Sequence, residues 1–451
     1  MSTIPRVAAS MRHVLIEVAD EAARKSGFLK RRRKLDGASF VQALVFGWMS
    51  NPEATAEERA QVAASRGVSI SAHGLNKRLD ERGAECLRLV LAAAIERVIV
   101  ASEPAAVEVL RRFDGVYLYD GSVVSLPEAL RERWPGLGGN GPTIGASALK
   151  IGVRLDLLSG ELYGPVLAAG RVHDRSLALG IEALPAGALR VADLGFFDLG
   201  LFGLLDEEGS YWLSRLKVGT VVRDRKTGDR MDLLALLEEL AVGQTLELEV
   251  LLGIEARVSA RLLATRVPEA TASERRRRLR AEAQRRRRGA PSEAQLTFAE
   301  WTILITNAPS GLLGAREAFV VMRSRWQIEK LFELWKRYGR LDKTRSRKPW
   351  RVLCEVYAKL LALLVEHWVL LSSPAFWAQP YRSIVKGACT IRHRALSLAD
   401  ALDDPARLSE VLGIIGRCLE AGCRVAKRRK QPGTAQQLLA LTRGRKETIM
   451  A

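Results

Sequence analysis

Two aspartates stand where a site for phosphodiester chemistry could form. Asp120 and Asp193 each follow a short apolar run, and each is followed within two residues by a glycine, Gly121 or Gly195. A glycine lets a phosphate or a metal ion approach the backbone closely. Metal-dependent phosphodiester cleavage needs two or three converging carboxylates, which hold a pair of Mg2+ ions about 3.5–4 Å apart. Either aspartate alone is more typical of an ordinary turn.

A third carboxylate is expected from a helix that packs across the same sheet. Four positions of the segment 322–336 are separated by 3, 4 and 7 residues: Met322, Arg325, Glu329 and Lys336. At about 100° per residue they fall within one narrow stripe, which presents an acid flanked by cations. The structural alternative is that Arg325 and Glu329 form only an i,i+4 ion pair, worth a few tenths of a kcal/mol.

The residues around the two aspartates predict a sheet with helices between its strands. A strand is expected to end at Asp120, a hairpin to turn at Ser159-Gly160, and a further strand to end at Asp193. The predicted elements are strands Val116–Tyr119, Ala146–Leu158, Glu161–Ala169, Ala188–Ala192 and Tyr211–Leu216, with helices Ser176–Leu184 and Leu199–Asp206. This is the order of an RNase H-like sheet.

A long segment, 218–300, interrupts this plan. It contains an alternating stretch, Thr245–Val250, and then nine arginines within Arg275–Arg288. Such an arginine run is usually a solvated helix or a mobile arm, and it is also compatible with nucleic-acid contact, because each neutralised phosphate releases counterions. The core pattern then returns with a strand at Trp301–Ile305 and a helix at Leu312–Arg340.

The N-terminal hundred residues are predicted to be helical, with a basic run at Lys30–Lys34. Thr55–Ser65 begins with the spacing of a capping box, Arg66–Val68 has the residues of a tight turn, and Ser69–Leu79 is expected to form a second helix. This order is typical of a helix-turn-helix, in which the second helix would offer DNA three polar side chains, Asn76, Lys77 and Arg78. Any helical hairpin has the same spacing.

Composition limits the class of protein. The chain has 451 residues, room for about three domains, and 48% of them are apolar while 27% are charged, which excludes wholesale disorder. The net charge is +19 and the pI is about 10.1, which favours a polyanionic partner, with nucleic acid ahead of a membrane surface. Five cysteines without a C-x-x-C pair, and five histidines, give no zinc spacing.

No membrane or secretory segment is expected. The N-terminus lacks a continuous apolar stretch, and the most apolar segment, Val352–Leu371, is interrupted by Glu355, Lys359 and Glu366. We therefore predict a buried helix there, in a cytoplasmic protein. The C-terminal part is predicted to be helical with a basic run at Lys427–Lys430.

The segment Arg325-x3-Glu329-x6-Lys336 resembles the Y-x2-R-x3-E-x6-K signature of bacterial DDE transposases of the insertion-sequence-four family, the cut-and-paste group. The blocks Asp120–Pro127 and Asp193–Phe197 are similar to those around that family's first and second acids. The resemblance covers roughly residues 112–371, including a long insertion before the third acid. The chain departs from the signature at its tyrosine, where Met322 stands.

The resemblance implies an α/β protein in which an RNase H-like catalytic core is interrupted by a mostly β insertion, with helical N- and C-terminal regions. The implied boundaries are a DNA-binding region at 1–110, the core at 111–217 and 301–371, the β-rich and Arg-rich insertion at 218–300, and a C-terminal region at 372–451 for dimerisation. The implied metal ligands and catalytic residues are Asp120, Asp193 and Glu329, holding two Mg2+ ions that Mn2+ could replace.

The resemblance also assigns contacts with end-DNA phosphates to Arg325 and Lys336, and both types of side chain suit that role. In relatives that excise through a hairpin, a tryptophan before the signature helix stacks on a flipped base. Trp301 stands at a suitable place, although a tryptophan in a strand is more often part of a core. The competing acids are Asp174, expected to pair with Arg175, together with Asp198 and Glu333.

The implied activity is transposition of an insertion sequence in a bacterial, nucleoid-associated setting. A homodimer would bind the terminal inverted repeats in a synaptic complex, cleave them, and join the freed 3′-hydroxyl to target DNA, with no covalent protein intermediate. Two other functions stay open. One is a transposase-derived regulator that binds DNA without cleaving it, and the other is a structure-specific nuclease. The intact acids favour cleavage, and Met322 mildly favours the regulator.

Overall fold

A computed structural model describes residues 3–29, 35–137, 145–180, 184–241, 244–285, 289–379, 381–425 and 432–449. Both predicted basic runs, Lys30–Lys34 and Lys427–Lys430, lie outside these residues. Contacts divide the chain into two units. Unit 1 comprises Met1–Ala106, Asp120–Leu179 and Trp326–Ala435, and unit 2 comprises Val107–Tyr119, Gly180–Arg325 and Gln436–Ala451.

Unit 1 is mainly helical and has one long buried helix at its centre. This helix, α13, spans Pro349–Leu371, is buried from Val352 onward, and packs on α3 and α6. The other helices of unit 1 are α1 Ile4–Arg12, α2 Ala19–Lys25, α3 Gly37–Ser50, α4 Ala56–Ser65, α5 Ala72–Lys77, α6 Glu81–Ile95, α12 Trp326–Glu333, α14 Pro374–Ala378, α15 Ile384–Arg392, α16 Ala395–Ala401 and α17 Pro405–Ala421. The buried helix predicted at Val352–Leu371 is therefore confirmed.

The charged residues that interrupt this apolar helix are buried with partners. Lys359 Nζ lies 2.7 Å from Glu355 Oε1 and donates to the carbonyls of Arg340 and Lys343 at 2.9 and 2.8 Å. Glu366 accepts from Arg392 Nε at 2.6 Å. Buried charges need such partners, because an unpaired ion inside a protein costs several kcal/mol. The Lys359 contacts also fix the basic loop that follows Lys336.

A buried histidine on α13 makes the stability of unit 1 depend on pH. The ring of His367 lies 2.7 Å from the Gly160 carbonyl, and burial lowers the pKa of this histidine to about 4. Between pH 6.5 and 4 the unfolded chain therefore binds a proton that the folded chain does not. The free energy of unfolding falls as the pH drops through this window, by about 1.6 kcal/mol between pH 6.5 and 5.

Urea unfolding of wild type and His367→Gln at pH 6.5 and 5 measures this effect. The variant should lose the histidine's share of the pH dependence, whereas His393→Gln, which removes an exposed histidine, should keep it. Equal pH dependence in wild type and His367→Gln would show that this ring does not titrate as its burial requires.

The two helices predicted at Thr55–Ser65 and Ser69–Leu79 are confirmed in part. Thr55 caps α4 with a full capping box, and Gly67 adopts a positive φ of 78° in the turn. The second helix is shorter than predicted, because α5 begins only at Ala72, after the cap at Ser71, and ends at Lys77. Six residues make less than two turns, so this helix presents a smaller surface than an eleven-residue helix would.

Each unit contains its own set of hydrogen-bonded strands. In unit 1 the order is β3-β2-β1, and in unit 2 it continues from the start of β1 as β1-β4-β5-β9-β8-β7-β6. The chain passes from one unit to the other within β1. The strands are β1 Val116–Leu126, β2 Ser147–Asp156, β3 Leu162–Ala169, β4 Leu189–Ala192, β5 Tyr211–Arg215, β6 Val222–Asp224, β7 Thr245–Leu252, β8 Val258–Arg266 and β9 Trp301–Thr306.

The strands of unit 2 pair in both directions, parallel and antiparallel. In unit 2, β1 is parallel to β4 and β4 to β5, while β9 pairs antiparallel with both β5 and β8. The segment 218–300 therefore adds its strands to the edge of the same sheet. The helices of this unit are α7 Leu199–Glu207, α8 Leu233–Glu238, α9 Glu269–Arg285, α10 Glu293–Phe298 and α11 Ala315–Ser324, while α18 Thr434–Ile449 begins in unit 1.

Three predicted elements are wrong in extent. The first strand does not end at Asp120 but continues to Leu126, because the apolar residues Val124 and Leu126 keep one face of it buried. Apart from the undescribed residues 181–183, the stretch 176–184 is irregular after a single 3-10 turn. The helix predicted at Leu312–Arg340 is divided into α11, α12 and a π-helical turn at Leu334–Tyr338.

Candidate active site

The second acid, Asp193, lies at the carboxyl end of β4, where the chain enters a 3-10 turn at Leu194–Phe196. The last pair of the parallel strands β1 and β4 joins Tyr119 to Ala192. Along the chain, Asp120 follows Tyr119 within β1, and Asp193 follows Ala192 directly after β4. The carboxyl ends of parallel strands are a frequent location for functional residues in α/β sheets.

A buried arginine supports the turn that carries Asp193. Arg190 is 1% exposed, and its Nη2 donates to the Phe196 carbonyl at 2.9 Å. Its guanidinium lies over the rings of Tyr119 and Phe202, at 5.3 and 5.7 Å, and burial lowers its pKa to about 10. Because the hydrogen bond spans the turn, it restrains the backbone on both sides of Asp193.

Arg325, one of the predicted phosphate contacts, lies beside Asp193. Its Nη2 is 3.9 Å from Asp193 Oδ2, and its side chain is 12% exposed while that of Asp193 is 43% exposed. Arg325 occupies the end of α11, where the helix is interrupted before α12 begins at Trp326. The structure therefore brings these two predicted site residues together within unit 2.

In unit 1, Lys336 lies near Asp120. Lys336 Nζ donates to the Val123 carbonyl on β1 at 3.0 Å. Burial lowers the pKa of Lys336, and the negative charges of Asp342 and Asp120 oppose this shift. Lys336 sits in the π-helical turn, a distortion that is frequent at functional sites.

Glu329 and its competitor Glu333 lie in different surroundings on α12. Glu329 is half-buried, and the core of unit 1 holds Ile328, Leu331 and Phe332 of the same helix. Glu333 is 50% exposed and pairs with Arg337 at 3.3 Å. Glu333 lies one helical turn after Glu329, is exposed and forms a surface ion pair. A structural role therefore accounts for Glu333.

The other two competing acids also have structural partners. Asp198 caps α7 by accepting from Leu201 N at 3.2 Å. Asp174 pairs with Lys150 Nζ at 2.8 Å, so the expected partner Arg175 is wrong for this acid. A Cβ added to Gly121 would lie 3.1 Å from Asp174 Oδ1, which places this ion pair beside the residue after Asp120. Sequence reasoning missed this, since 24 positions separate Lys150 from Asp174.

The chemistry of the three predicted ligands fits Mg2+, which prefers carboxylate oxygens. Asp120, Asp193 and Glu329 are each partly exposed, so a hydrated ion could reach them. Within the described ranges, no group of three or more His, Cys, Asp or Glu side chains is arranged to hold a metal ion. The fit therefore rests on the donor types and their positions in the chain.

The two tryptophans near the signature differ sharply in exposure. Trp301 is only 4% exposed, and the Arg266 guanidinium lies 5.6 Å from its ring centre. This burial favours the core alternative for Trp301, because a covered ring has no free face for a base. Trp326, directly after Arg325, is 56% exposed. Sequence reasoning overlooked Trp326, although its position next to the signature arginine was a signal.

The predicted DNA-contacting residues of the second N-terminal helix are not equally exposed. Lys77 is exposed, while Asn76 and Arg78 are half-buried. The Arg78 guanidinium lies 5.7 Å from the centre of the Phe28 ring, which gives it a packing role. Met322, at the position of the signature tyrosine, is 6% exposed and faces the core from α11.

Within unit 2, the parallel strands β1, β4 and β5, Asp193 at the end of β4 and the neighbouring Arg325 point to a class of protein. The chain belongs to the family described as the transposase DDE domain, whose model matches residues 111–365, more than half of the chain. In the described part of the chain, no helix is long and apolar enough to cross a membrane.

Similar curated proteins agree with this family. The chain is 27% identical to the transposase for insertion sequence element IS231B of Bacillus thuringiensis subsp. berliner, over 78% of this chain and 77% of that protein. It is 26% identical to the transposase for IS231F of Bacillus thuringiensis subsp. israelensis, over 80% and 79%. It is also 24% identical to the transposase for IS1151 of Clostridium perfringens, over 79% of each chain.

Proposed function

We propose that this protein is a cut-and-paste transposase of the insertion-sequence-four family, which binds the terminal inverted repeats of its own element, cleaves them and transfers the freed strand. The observation that carries this proposal is the placement of one signature cation beside each of the first two acids. Arg325 lies 3.9 Å from Asp193, and the charge of Asp120 acts on Lys336. A phosphate at either position would meet a cation that the fold already holds.

The catalytic core would be RNase H-like. The strand order β3-β2-β1-β4-β5, with β2 and β3 antiparallel and β1, β4 and β5 parallel, supports this assignment. In the core, Asp120, Asp193 and Glu329 would hold two Mg2+ ions, which supply charge stabilisation and activate the nucleophile when bound. Arg325 would grip a phosphate through two parallel hydrogen bonds, while Lys336 adds a point charge.

The remaining regions would serve DNA binding and assembly. The N-terminal region offers the helix-turn-helix pair α4 and α5, with Lys77 exposed for DNA contact. The C-terminal helices would mediate dimerisation, since a synaptic complex must hold two ends at once. The net charge of +19 supports a polyanionic partner for the whole chain.

Incubation of the purified protein with a DNA fragment that carries both ends of the element tests this function. With Mg2+, we expect strand cleavage at the ends, products with free 3′-hydroxyls, and their transfer to a second plasmid, all resolved on denaturing gels. Scrambled ends are the control. End binding without cleavage would identify the regulator, and cleavage that ignores the end sequence would identify the nuclease. Either result contradicts the proposal.

A further inference from the structure

The arginine-rich helix α9 has two faces with different surroundings. On one side, Arg275 donates to the Trp301 carbonyl at 2.8 Å and to Thr302 Oγ1 at 3.0 Å. Arg276 donates to Glu300 Oε1 at 2.8 Å. Ala272 is buried on the same side. These contacts attach the helix to β9 and fix its direction within unit 2.

The arginines on the other side point to solvent. Arg277 and Arg278 are each 77% exposed, and Arg280 and Arg285 are exposed as well. At 100° per residue, these four positions lie within a sector of about 160°, opposite the buried Ala272. Glu274 pairs with both Arg277 and Arg278, but the helix as a whole carries six arginines against three glutamates.

This arrangement is costly for an isolated helix. Arg276 and Arg277 stand four and three positions before Arg280, and like charges at these spacings each destabilise a helix by a few tenths of a kcal/mol. An anionic partner would remove that cost. The anchoring hydrogen bonds of Arg275 and Arg276 mean that the exposed arginines are presented on a fixed support, so a partner does not have to order them first.

We propose that the exposed face of α9 binds the phosphates of duplex DNA without reading its sequence, as a contact separate from the recognition of the element's ends. Arg277 to Arg285 span roughly 12 Å of helix, enough to reach about three phosphates. The helix contains no aromatic residue that could stack on unpaired bases, which favours duplex over single-stranded nucleic acid. The inference rests on the proposed function in taking DNA as the substrate.

The test is the salt dependence of binding to a duplex of random sequence, measured for the full chain between 50 and 200 mM salt. Replacing Arg277, Arg280 and Arg285 together by glutamine should lower the slope of log K against log salt by about 2.7, because each phosphate contact contributes about 0.9. Over this fourfold change in salt, wild type should lose about 40-fold more affinity than the variant.

Two further triple variants serve as controls. Lysine at the same three positions keeps the charge and should keep the slope. The second control replaces three exposed arginines of the C-terminal region by glutamine: Arg394, Arg407 and Arg417. It removes the same charge and should leave most of the slope of log K against log salt unchanged. Unchanged melting temperatures will show that all variants fold.

An unchanged slope in the α9 variant, or an equal loss in the C-terminal control, would overturn the inference. The inference would also be overturned by a second result. In that result, single-stranded RNA binds wild type as tightly as the duplex does, and the α9 variant lowers the salt slope for RNA by the same amount. The preference of wild type for true over scrambled ends, and its cleavage of them, are separate readouts. Their absence would refute the proposed function, whatever the slopes are.

Discussion

Glu329→Gln should reduce cleavage at the element's ends by roughly 10³-fold or more, while end binding stays nearly unchanged. The amide keeps the size of the side chain, but its neutral oxygen binds Mg2+ more weakly than a carboxylate does. Loss of several kcal/mol of charge stabilisation corresponds to this factor, since each 1.4 kcal/mol is tenfold in rate. Single-turnover cleavage and gel-shift binding on the same protein preparation measure the two quantities.

Glu333→Gln is the matched control for this variant. Glu333 lies one turn further along the helix, is 50% exposed and pairs with Arg337, so its replacement should leave cleavage within a small factor of wild type. The reverse pattern, with normal cleavage by Glu329→Gln and none by Glu333→Gln, would place the third acid one turn later than we assign it.

Trp301→Ala should lower the free energy of unfolding by about 3–5 kcal/mol, the usual cost of removing a large buried aromatic side chain. The ring is 4% exposed, lies below the Arg266 guanidinium, and begins the strand to which α9 is attached. Nicking and every later step should therefore decrease together. Thermal melting and time courses of nicking and hairpin formation provide the measurements.

Trp326→Ala removes a ring of the same size from a surface position that is 56% exposed, so it should change the melting temperature little. This comparison separates a core role from a DNA-stacking role for Trp301. If Trp301→Ala melts like wild type, nicks normally and is slow only in hairpin formation or resolution, then the stacking role suggested by the sequence is correct and the core assignment is wrong.

The elements that could be predicted from the sequence are those that local patterns determine. The capping box at Thr55, the hairpin at Ser159-Gly160 and the buried helix α13 each depend on residues close together in the chain. Strands β3, β4, β5 and β9 lie within one or two residues of their predicted bounds. These patterns carry information because burial on one face imposes the period of the element.

What could not be predicted depends on partners far away in the chain. Arg325 interrupts the predicted signature helix and lies beside Asp193, 132 positions earlier, whereas the sequence suggested a DNA phosphate or Glu329 as its partner. Likewise, Asp174 pairs with Lys150 rather than with its neighbour Arg175. The strands of segment 218–300 join the core sheet through β9, which no local period could indicate.

The central claim is that Asp120, Asp193 and Glu329 hold the same metal ions. Iron-mediated cleavage of the protein tests it most directly and does not depend on activity. Fe2+ replaces Mg2+, ascorbate and peroxide generate hydroxyl radicals at the bound iron, and mass spectrometry locates the cuts in the chain. We expect cuts near all three acids, protection by excess Mg2+, and loss of all three cuts in Asp120→Asn. Cuts near only one or two of the acids, or cuts that survive in Asp120→Asn, would contradict the claim.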